Sequence, residues 1–290
     1  MDKYDVVIGG AGPCGYNAAL EINKLRPDYK VLLIDRGHDI FKRHCPVLEH
    51  KLEKCPSKKG GFQECFPACS ITNGFGGSGA YSDGKFNVTS EFGGLLSDYI
   101  PTEHLMELIK YVDDINLSYG GTAEITNPDT PEARAIELRA MSVGVKLLRS
   151  KVRHLGTDEN LKILTNIYKD LEKRIDMRFR ANATDIIVEE GKIKGIVLES
   201  GEQILADHVI LGVGREGSIA FAEMLKKHGV KMNQNQVDIG VRVECSNRVM
   251  DEINETLYEG KMVYRSKSGR MVRTFCSNPG GPVVVEHNMG

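Results

Sequence analysis

The sequence lacks several features that would place its function elsewhere. It has almost no net charge: 38 Lys and Arg stand against 40 Asp and Glu, leaving −2 over 290 residues. Nucleic acid and anionic membrane are therefore not expected as partners. No apolar run is long enough to span a bilayer. The stretch Val6 to Leu20 is rich in small and apolar residues, but it lacks the basic start of a signal peptide, and Gly10, Gly12 and Gly15 account for it better. An even set of cysteines is also missing. Cys14, Cys45, Cys55, Cys65, Cys69, Cys245 and Cys276 make seven, which argues against a secreted disulfide framework and predicts reduced thiols and a cytoplasmic location. There are no internal repeats and no low-complexity tract. What remains is the composition of a soluble globular protein, 41% hydrophobic and 27% charged, long enough for one large or two modest domains.

The N-terminal pattern is the clearest. Asp5-Val6-Val7-Ile8 reads as a short strand, a glycine-rich turn follows, and a helix runs from about Pro13 to Leu25 until Arg26-Pro27 stops it. Lys30 to Asp35 is a second apolar strand. Both strands look buried on two faces, as parallel strands are. From Arg36 to about Gly94 no periodicity is sustained; so long an irregular segment in a compact domain predicts a binding role or disorder. Helices return, one capped by Thr102 with Leu105, Leu108, Ile109 and Val112 inward and ended by Gly120-Gly121. A second opens at Thr130-Pro131 and closes at Gly144, and a third is capped by Asp158 with Leu161, Leu164, Tyr168, Leu171 and Ile175 on one stripe. Strands at Met177 to Ala181, Asp185 to Val188, Ile193 to Glu199 and Gln203 to Ala206 look like a β-meander. His208 to Gly214 is a further buried strand ending in glycines, followed by a helix from about Ser218 to Lys227. Asp238 to Cys245, Met262 to Arg265, Met271 to Phe275 and Val283 to Glu286 read as strands of a second region.

Gly10-Ala11-Gly12-Pro13-Cys14-Gly15 fits G-x-G-x-x-G between a strand and a helix. Gly10 permits the tight turn, Gly12 lets a pyrophosphate approach the backbone, and Gly15 lets the helix pack close to the strand. The helix N-terminus offers N–H groups and a positive dipole end to phosphates. Asp35, 20 residues after Gly15, is placed to accept hydrogen bonds from a ribose diol and to repel a 2′-phosphate. Arg36 reads as a solvated charge more than as a cofactor contact. A strand–helix turn without a ligand is the alternative for the whole stretch; the acid at the next strand end weighs against it.

Beyond this unit the chain resembles the large FAD family with a glutathione-reductase-like nucleotide fold. Ala206 to Arg215 is similar to that family's strand-and-glycine segment beside the FAD, with Gly212-Val213 where Ala-Thr is usual. Gly212, Gly214 and Arg215 are the positions it implies. Asn182-Ala183-Thr184-Asp185-Ile186 is similar to the segment whose backbone, near Ala183, meets the adenine. A narrower resemblance rests on Cys45 to Glu49, Gly74 to Lys85, Arg153 to Asp158, Asp238 to Glu244 and Arg273 to Gly281. These motifs resemble the uncharacterised FAD-dependent dehydrogenases of prokaryotes. That resemblance implies dehydrogenase activity without naming a substrate. It also implies a chain truncated at its C-terminus, since that family's members are longer and end in a Gly-Asp segment.

The expectation is an α/β protein with a discontinuous Rossmann-like FAD-binding domain (1–36 and 145–230) containing a β-meander crossover. A cofactor-facing insertion rich in glycine and cysteine (37–144) and part of a mixed, β-rich substrate domain (231–290) complete it. Gly76, Gly77 and Ser78 are expected to pass the pyrophosphate and the flavin ring, with a mobile surface loop as the alternative. The expected function is hydride transfer at flavin N5 with a small-molecule substrate, and NAD(P)H as a transient donor. An NAD(P)-binding Rossmann dehydrogenase and a nucleotide-binding module without turnover are the rivals. Cys45, Cys55, Cys65 and Cys69 are expected to be ordinary thiols, with a metal or redox-active site as alternatives. Cys276 and His154 stay open, and Arg242, in an apolar strand, is a candidate for an anionic substrate group.

Overall fold

Two continuous runs of buried branched residues start the fold. In the computed structural model, which describes residues 3–53, 55, 68–82, 84–91, 93–233 and 237–281, β1 (Lys3–Gly9) and β2 (Val31–Asp35) flank helix α1 (Pro13–Leu25). All five residues of β2 are buried, as both faces of the sheet are covered. The strands pair in parallel, Val6 opposite Val31 through Gly9 opposite Ile34.

The chain then divides into two units. The first holds the described residues of 1–82 and 160–238, the second those of 83–159 and 239–284. This division differs from the one expected: 37–82 and the described residues of 231–238 fall with the N-terminal unit, and 145–159 fall with the second.

In the first unit the irregular segment after β2 ends in a 3₁₀ turn over Gly77–Tyr81. Helix α4 (Gly156–Leu171) enters this unit from its second turn onward and leads to β6 (Asp176–Phe179). Strands β7 (Ala183–Glu189), β8 (Lys192–Leu198) and β9 (Gln203–Leu211) follow, then helix α5 (Gly214–Lys227). The sheet order is β6-β2-β1-β9-β8-β7. β6 pairs with β2 in parallel, so the first of the four expected meander strands is the third strand of the parallel sheet. The two strands expected at Gln203 to Ala206 and at His208 to Gly214 are one. β9 pairs antiparallel with β8 through Gln203 to Leu205, and in parallel with β1 through Leu205 to Leu211. A strand of nine residues is long enough to serve both neighbours.

One sheet face packs Tyr4, Val7, Leu32, Ile34, Ile196, Leu198, Ile204 and Met224 into a single core. An aromatic cluster lies elsewhere in this unit, with Phe75 against Tyr16, Tyr168 and Phe179 at ring separations of 5.9, 5.1 and 6.4 Å. In α4 the buried stripe is Ile163, Leu164, Ile167, Tyr168 and Leu171; Leu161, expected inward, is exposed. The helix begins at Gly156, so Asp158 sits inside its first turn and does not cap it. The carboxylate still complements the positive end of the helix.

The second unit contains β3 (Lys85–Val88) paired antiparallel with β5 (Lys151–His154). A separate sheet joins β4 (Val145–Leu148), β10 (Lys261–Arg265) and β11 (Met271–Arg273). Helices α2 (Thr102–Ser118), α3 (Pro131–Ser142) and α6 (Asn247–Leu257) complete it. Thr130 caps α3 by accepting from the Ala133 N–H at 3.2 Å, as expected. Pro101, not Thr102, is the cap of α2, and no side chain bonds there. The buried residues of α2 are polar. Asp113 receives Arg153 Nε and Nη2, both at 2.8 Å, while Leu108 and Val112 are exposed. The strand expected at Asp238 to Cys245 does not form; Ile239 and Val241 are 94% and 88% exposed, and Arg242 is exposed as well. Alternation of apolar residues makes a strand only where a neighbour supplies backbone partners. Val283 to Glu286 lie outside the described residues.

One contact ties α5 to the meander and is open to test. Asp185 of β7 accepts from Lys227 and from His228 Nε2, the latter at 2.7 Å. The Lys227 hydrogen bond, ahead of His228 and the Ile186 N–H, holds its carboxyl down at about 2. Its folded value lies below the unfolded one, so this stabilisation is complete above about pH 4 and fades as pH falls towards 2. Asp185→Asn should cost about 1 kcal/mol in urea melts at pH 6 and nothing near pH 2. Equal losses at both pH values would show that the charge is not responsible.

Candidate functional site

The carboxyl ends of β1 and β9 open into a cavity of about 640 Å³. The chain leaves β1 towards β2 on one side, and β9 arrives on the other. This is a topological switch point, where open α/β sheets bind ligands. The volume is within the usual range of small-molecule sites, roughly 300–1,000 Å³.

Gly10 and Gly15 shape the first wall. Gly10 has φ +99°, and a Cβ on it would stand 2.3 Å from the Gly212 carbonyl oxygen; one on Gly15 would stand 1.7 Å from the Gly10 oxygen. Gly12 is different. A Cβ there would meet only Gly77 Cα, at 3.7 Å, so its missing side chain leaves room on the cavity side. No side chain caps α1 and no acid lies in its first turn. Its first N–H groups and dipole are therefore available to an anion. Pro13 and Cys14 line the same wall; Cys14 touches the position of a Gly212 Cβ, in keeping with a packing role.

The second glycine loop lies directly on the first. The Gly76 N–H donates to the Ala11 carbonyl at 2.8 Å, and Gly77 abuts Gly12. Phe75, fully buried, anchors this loop in the aromatic cluster. Gly77 and Ser78 line the cavity; Gly76 sits behind them, buried.

Arg43 holds the loop in place, a role with no signal in the sequence. Its side chain is buried, and all five N–H donors go to backbone carbonyls. Nε and Nη2 reach Ser70, Nη2 also Ile71, and Nη1 reaches Phe75 and Gly77, at 2.6 to 3.0 Å. Burial pushes its pKa down to about 10, which leaves it charged at neutral pH.

Asp35 is more committed than expected. Oδ2 accepts the Ala11 N–H at 2.8 Å; Oδ1 accepts those of Gly37 and Gly74 at 2.8 and 2.9 Å. A carboxylate has about four acceptor positions, so a ribose diol would find at most one left, on Oδ2. Arg36 is not a solvated charge. It lines the cavity and pairs with Glu216 of α5 at 2.8 Å. Glu216 also accepts from Thr72 Oγ1 at 3.0 Å and from Asn73 Nδ2. Glu216, Thr72 and Asn73 did not stand out in the sequence; a carboxylate in the first turn after Gly214 was the available clue.

Part of the lining is apolar, with Asn182 and Thr184 beside it. Ala181, Ala183, Leu211, Ala220, Phe221 and Met224 form this part. The Ala181 N–H donates to the Asp35 carbonyl at 2.9 Å, which brings the Ala183 segment beside the end of β2. Gly212, Gly214 and Arg215 line the wall between β9 and α5. All the residues expected around a dinucleotide thus lie in the first unit and, apart from Ala11, Gly15 and Gly76, on this cavity.

The second unit gathers other residues that the sequence left open. His154 stacks on Tyr258 with ring centroids 3.9 Å apart and shares a hydrogen bond with its hydroxyl. Lys85, opposite His154 in the strand pair, lies over the Tyr258 ring. Cys276 is a free, exposed thiol. Of the cysteine group, Cys45, Cys55 and Cys69 are free, and Cys65 lies outside the described residues. Among the described residues no set of His, Cys, Asp and Glu side chains could hold a metal ion, and no helix is long and apolar enough to cross a membrane.

Residues 134–247 match the family described as pyridine nucleotide-disulphide oxidoreductase. No curated relative matches the chain. Among solved structures, L-amino acid deaminase from Proteus vulgaris has a TM-score of 0.41 at 14% identity, over 73% of this chain and 47% of that one. The 3-ketosteroid-Δ4-(5α)-dehydrogenase from Rhodococcus jostii has 0.45 at 13%, over 78% and 48%. Glycine oxidase from Geobacillus kaustophilus has 0.41 at 16%, over 79% and 59%. The chain thus spans about half the length of these proteins.

Proposed function

We propose that this chain binds FAD in its first unit and acts as an FAD-dependent oxidoreductase of the dehydrogenase type, with the second unit as its substrate domain. The observation that carries the reading is the cavity at the β1–β9 switch point, walled by two glycine loops in contact and by an uncapped helix N-terminus. A pyrophosphate fits where Gly12 has no side chain, against the N–H groups of α1. The adenosine fits towards Asp35 and the apolar wall of Ala183, Phe221 and Met224. Gly77 and Ser78, held by Arg43, extend the polar wall towards the remainder of the cofactor.

When bound, FAD supplies a hydride acceptor at N5. The residues of the chain bind and orient it. The Arg43 clamp fixes the second loop, and Asp35 ties both loops to the end of β2. The apolar wall keeps water from the adenine. The meander that follows the third parallel strand supports FAD over the plain NAD(P)-binding dehydrogenase reading, in which βαβ units would continue. The substrate is a small molecule, with NAD(P)H as a transient donor. A cytoplasmic location belongs to the same reading, supported by the free thiols at Cys14, Cys45, Cys55, Cys69, Cys245 and Cys276.

The visible absorption spectrum of the purified chain tests this, before and after added FAD and again after denaturation. Flavin bands with FAD released on unfolding are expected. A colourless protein that takes up no FAD but binds NAD(H) would sink the cofactor assignment. Bound flavin without turnover of any reduced donor would favour the module without catalysis.

A further inference from the structure

Arg36 directly follows the acid at the end of β2, a place from which an arginine accommodates a ribose 2′-phosphate in dinucleotide folds. Here its guanidinium is already engaged, with Nη2 on Glu216 Oε1 at 2.8 Å. The Glu216 side chain is only 9% exposed. Thr72 Oγ1 at 3.0 Å and Asn73 Nδ2 hold its other oxygen. The carboxylate also stands in the first turn of α5, where the helix dipole favours negative charge. Three side chains therefore hold the carboxylate beside Arg36. Asp35, Arg36, Thr72, Asn73 and Glu216 all line the cavity.

We propose that Glu216 is a specificity-determining residue. By occupying Arg36 it makes the cavity accept an adenosine 5′-diphosphate moiety with a free 2′-hydroxyl and refuse one that carries a 2′-phosphate. Glu216 acts through Arg36, as a positioning residue. The inference rests on the reading that this cavity holds the adenosine half of a dinucleotide.

Isothermal titration of the full chain, stripped of any flavin, with ADP and with adenosine 2′,5′-bisphosphate tests it. Wild type should bind ADP more tightly than the bisphosphate. Glu216→Gln keeps an acceptor for Thr72 and Asn73 but releases the guanidinium; it should shift the ratio towards the bisphosphate by about tenfold, the worth of one charge-assisted phosphate contact. Adding Arg36→Ala to Glu216→Gln should abolish that shift, which a merely structural role would not do. Arg36→Ala alone provides a check that does not depend on the stability of the Glu216 variant. It should leave the ratio unchanged, because the guanidinium is already engaged. An unchanged ratio in Glu216→Gln with ADP still bound, or loss of bisphosphate binding in Arg36→Ala alone, would overturn the inference. A wild-type chain that binds neither ligand would instead overturn the reading of the cavity, and this inference with it.

Discussion

Arg43→Ala is expected to destabilise the first unit by roughly 3–5 kcal/mol and to abolish retention of FAD. The substitution leaves the carbonyls of Ser70, Ile71, Phe75 and Gly77 without the donors that satisfy them in the interior. It also opens a void beside Tyr81, over whose ring the guanidinium lies at 5.1 Å. A buried polar group that loses its partner costs more than its hydrogen bond contributed, because water cannot replace the donor. Arg43→Lys should recover little. An ammonium has three donors on a point charge, and it cannot reach four carbonyls that a planar fork with five donors reaches at once. Differential scanning calorimetry should show the alanine variant melting about 10 °C below wild type. A variant that melts with wild type and keeps its flavin would show that the loop is held by Phe75 and Asp35 without the clamp.

Gly12→Val should separate binding from folding. Gly12 has φ −73°, which any residue adopts, and its Cβ direction is open but for Gly77 Cα at 3.7 Å. The fold should therefore accept a side chain with a change in Tm of no more than a few degrees. The same side chain fills the space through which a pyrophosphate would approach the backbone, so affinity for FAD should fall by roughly 100-fold or more. Gly15→Ala is the contrasting control. Its methyl group would stand 1.7 Å from the Gly10 carbonyl oxygen, so the strand and helix must move apart and the chain should fail to fold. Fluorescence titration with FAD and a thermal melt distinguish the two variants. If Gly12→Val binds FAD as wild type does, the phosphates lie elsewhere and the proposed orientation of the cofactor is wrong.

The β1–α1–β2 unit was legible in the sequence because its determinants are local. Glycine spacing, an apolar run of strand length and Arg26-Pro27 act within about 35 residues, and the observed bounds of α1, Pro13–Leu25, coincide with the expected ones. The cap at Thr130 and the positions of β7, β8, β10 and β11 were legible for the same reason. Elsewhere the sequence misled where a residue's partner is distant in the chain. The polar face of α2 turns inward because Arg153 lies 40 residues on from Asp113, which no count of apolar residues reveals. β3, β4 and β5 went unread because each has only four residues, and α6 because most of its residues are polar. Asp238 to Cys245 had the alternation of a strand without a neighbour to pair with.

The same distinction holds at the site. The sequence by itself determined which residues surround the cavity: the first glycine loop, Asp35, Ala183, Gly212 and Gly214 recur there because backbone geometry demands glycine at a tight turn and a strand end delivers its last residue to the sheet edge. Only the tertiary structure decided what those residues do. Asp35 spends three acceptor positions on backbone N–H groups, one of them 39 residues away at Gly74. Arg36 is engaged by Glu216, 180 residues on. Arg43 becomes the clamp of a loop that begins 27 residues later. A hydrogen-bonding side chain is free to choose among many partners along the chain, and it is packing, by excluding water, that leaves it only those the fold brings within reach.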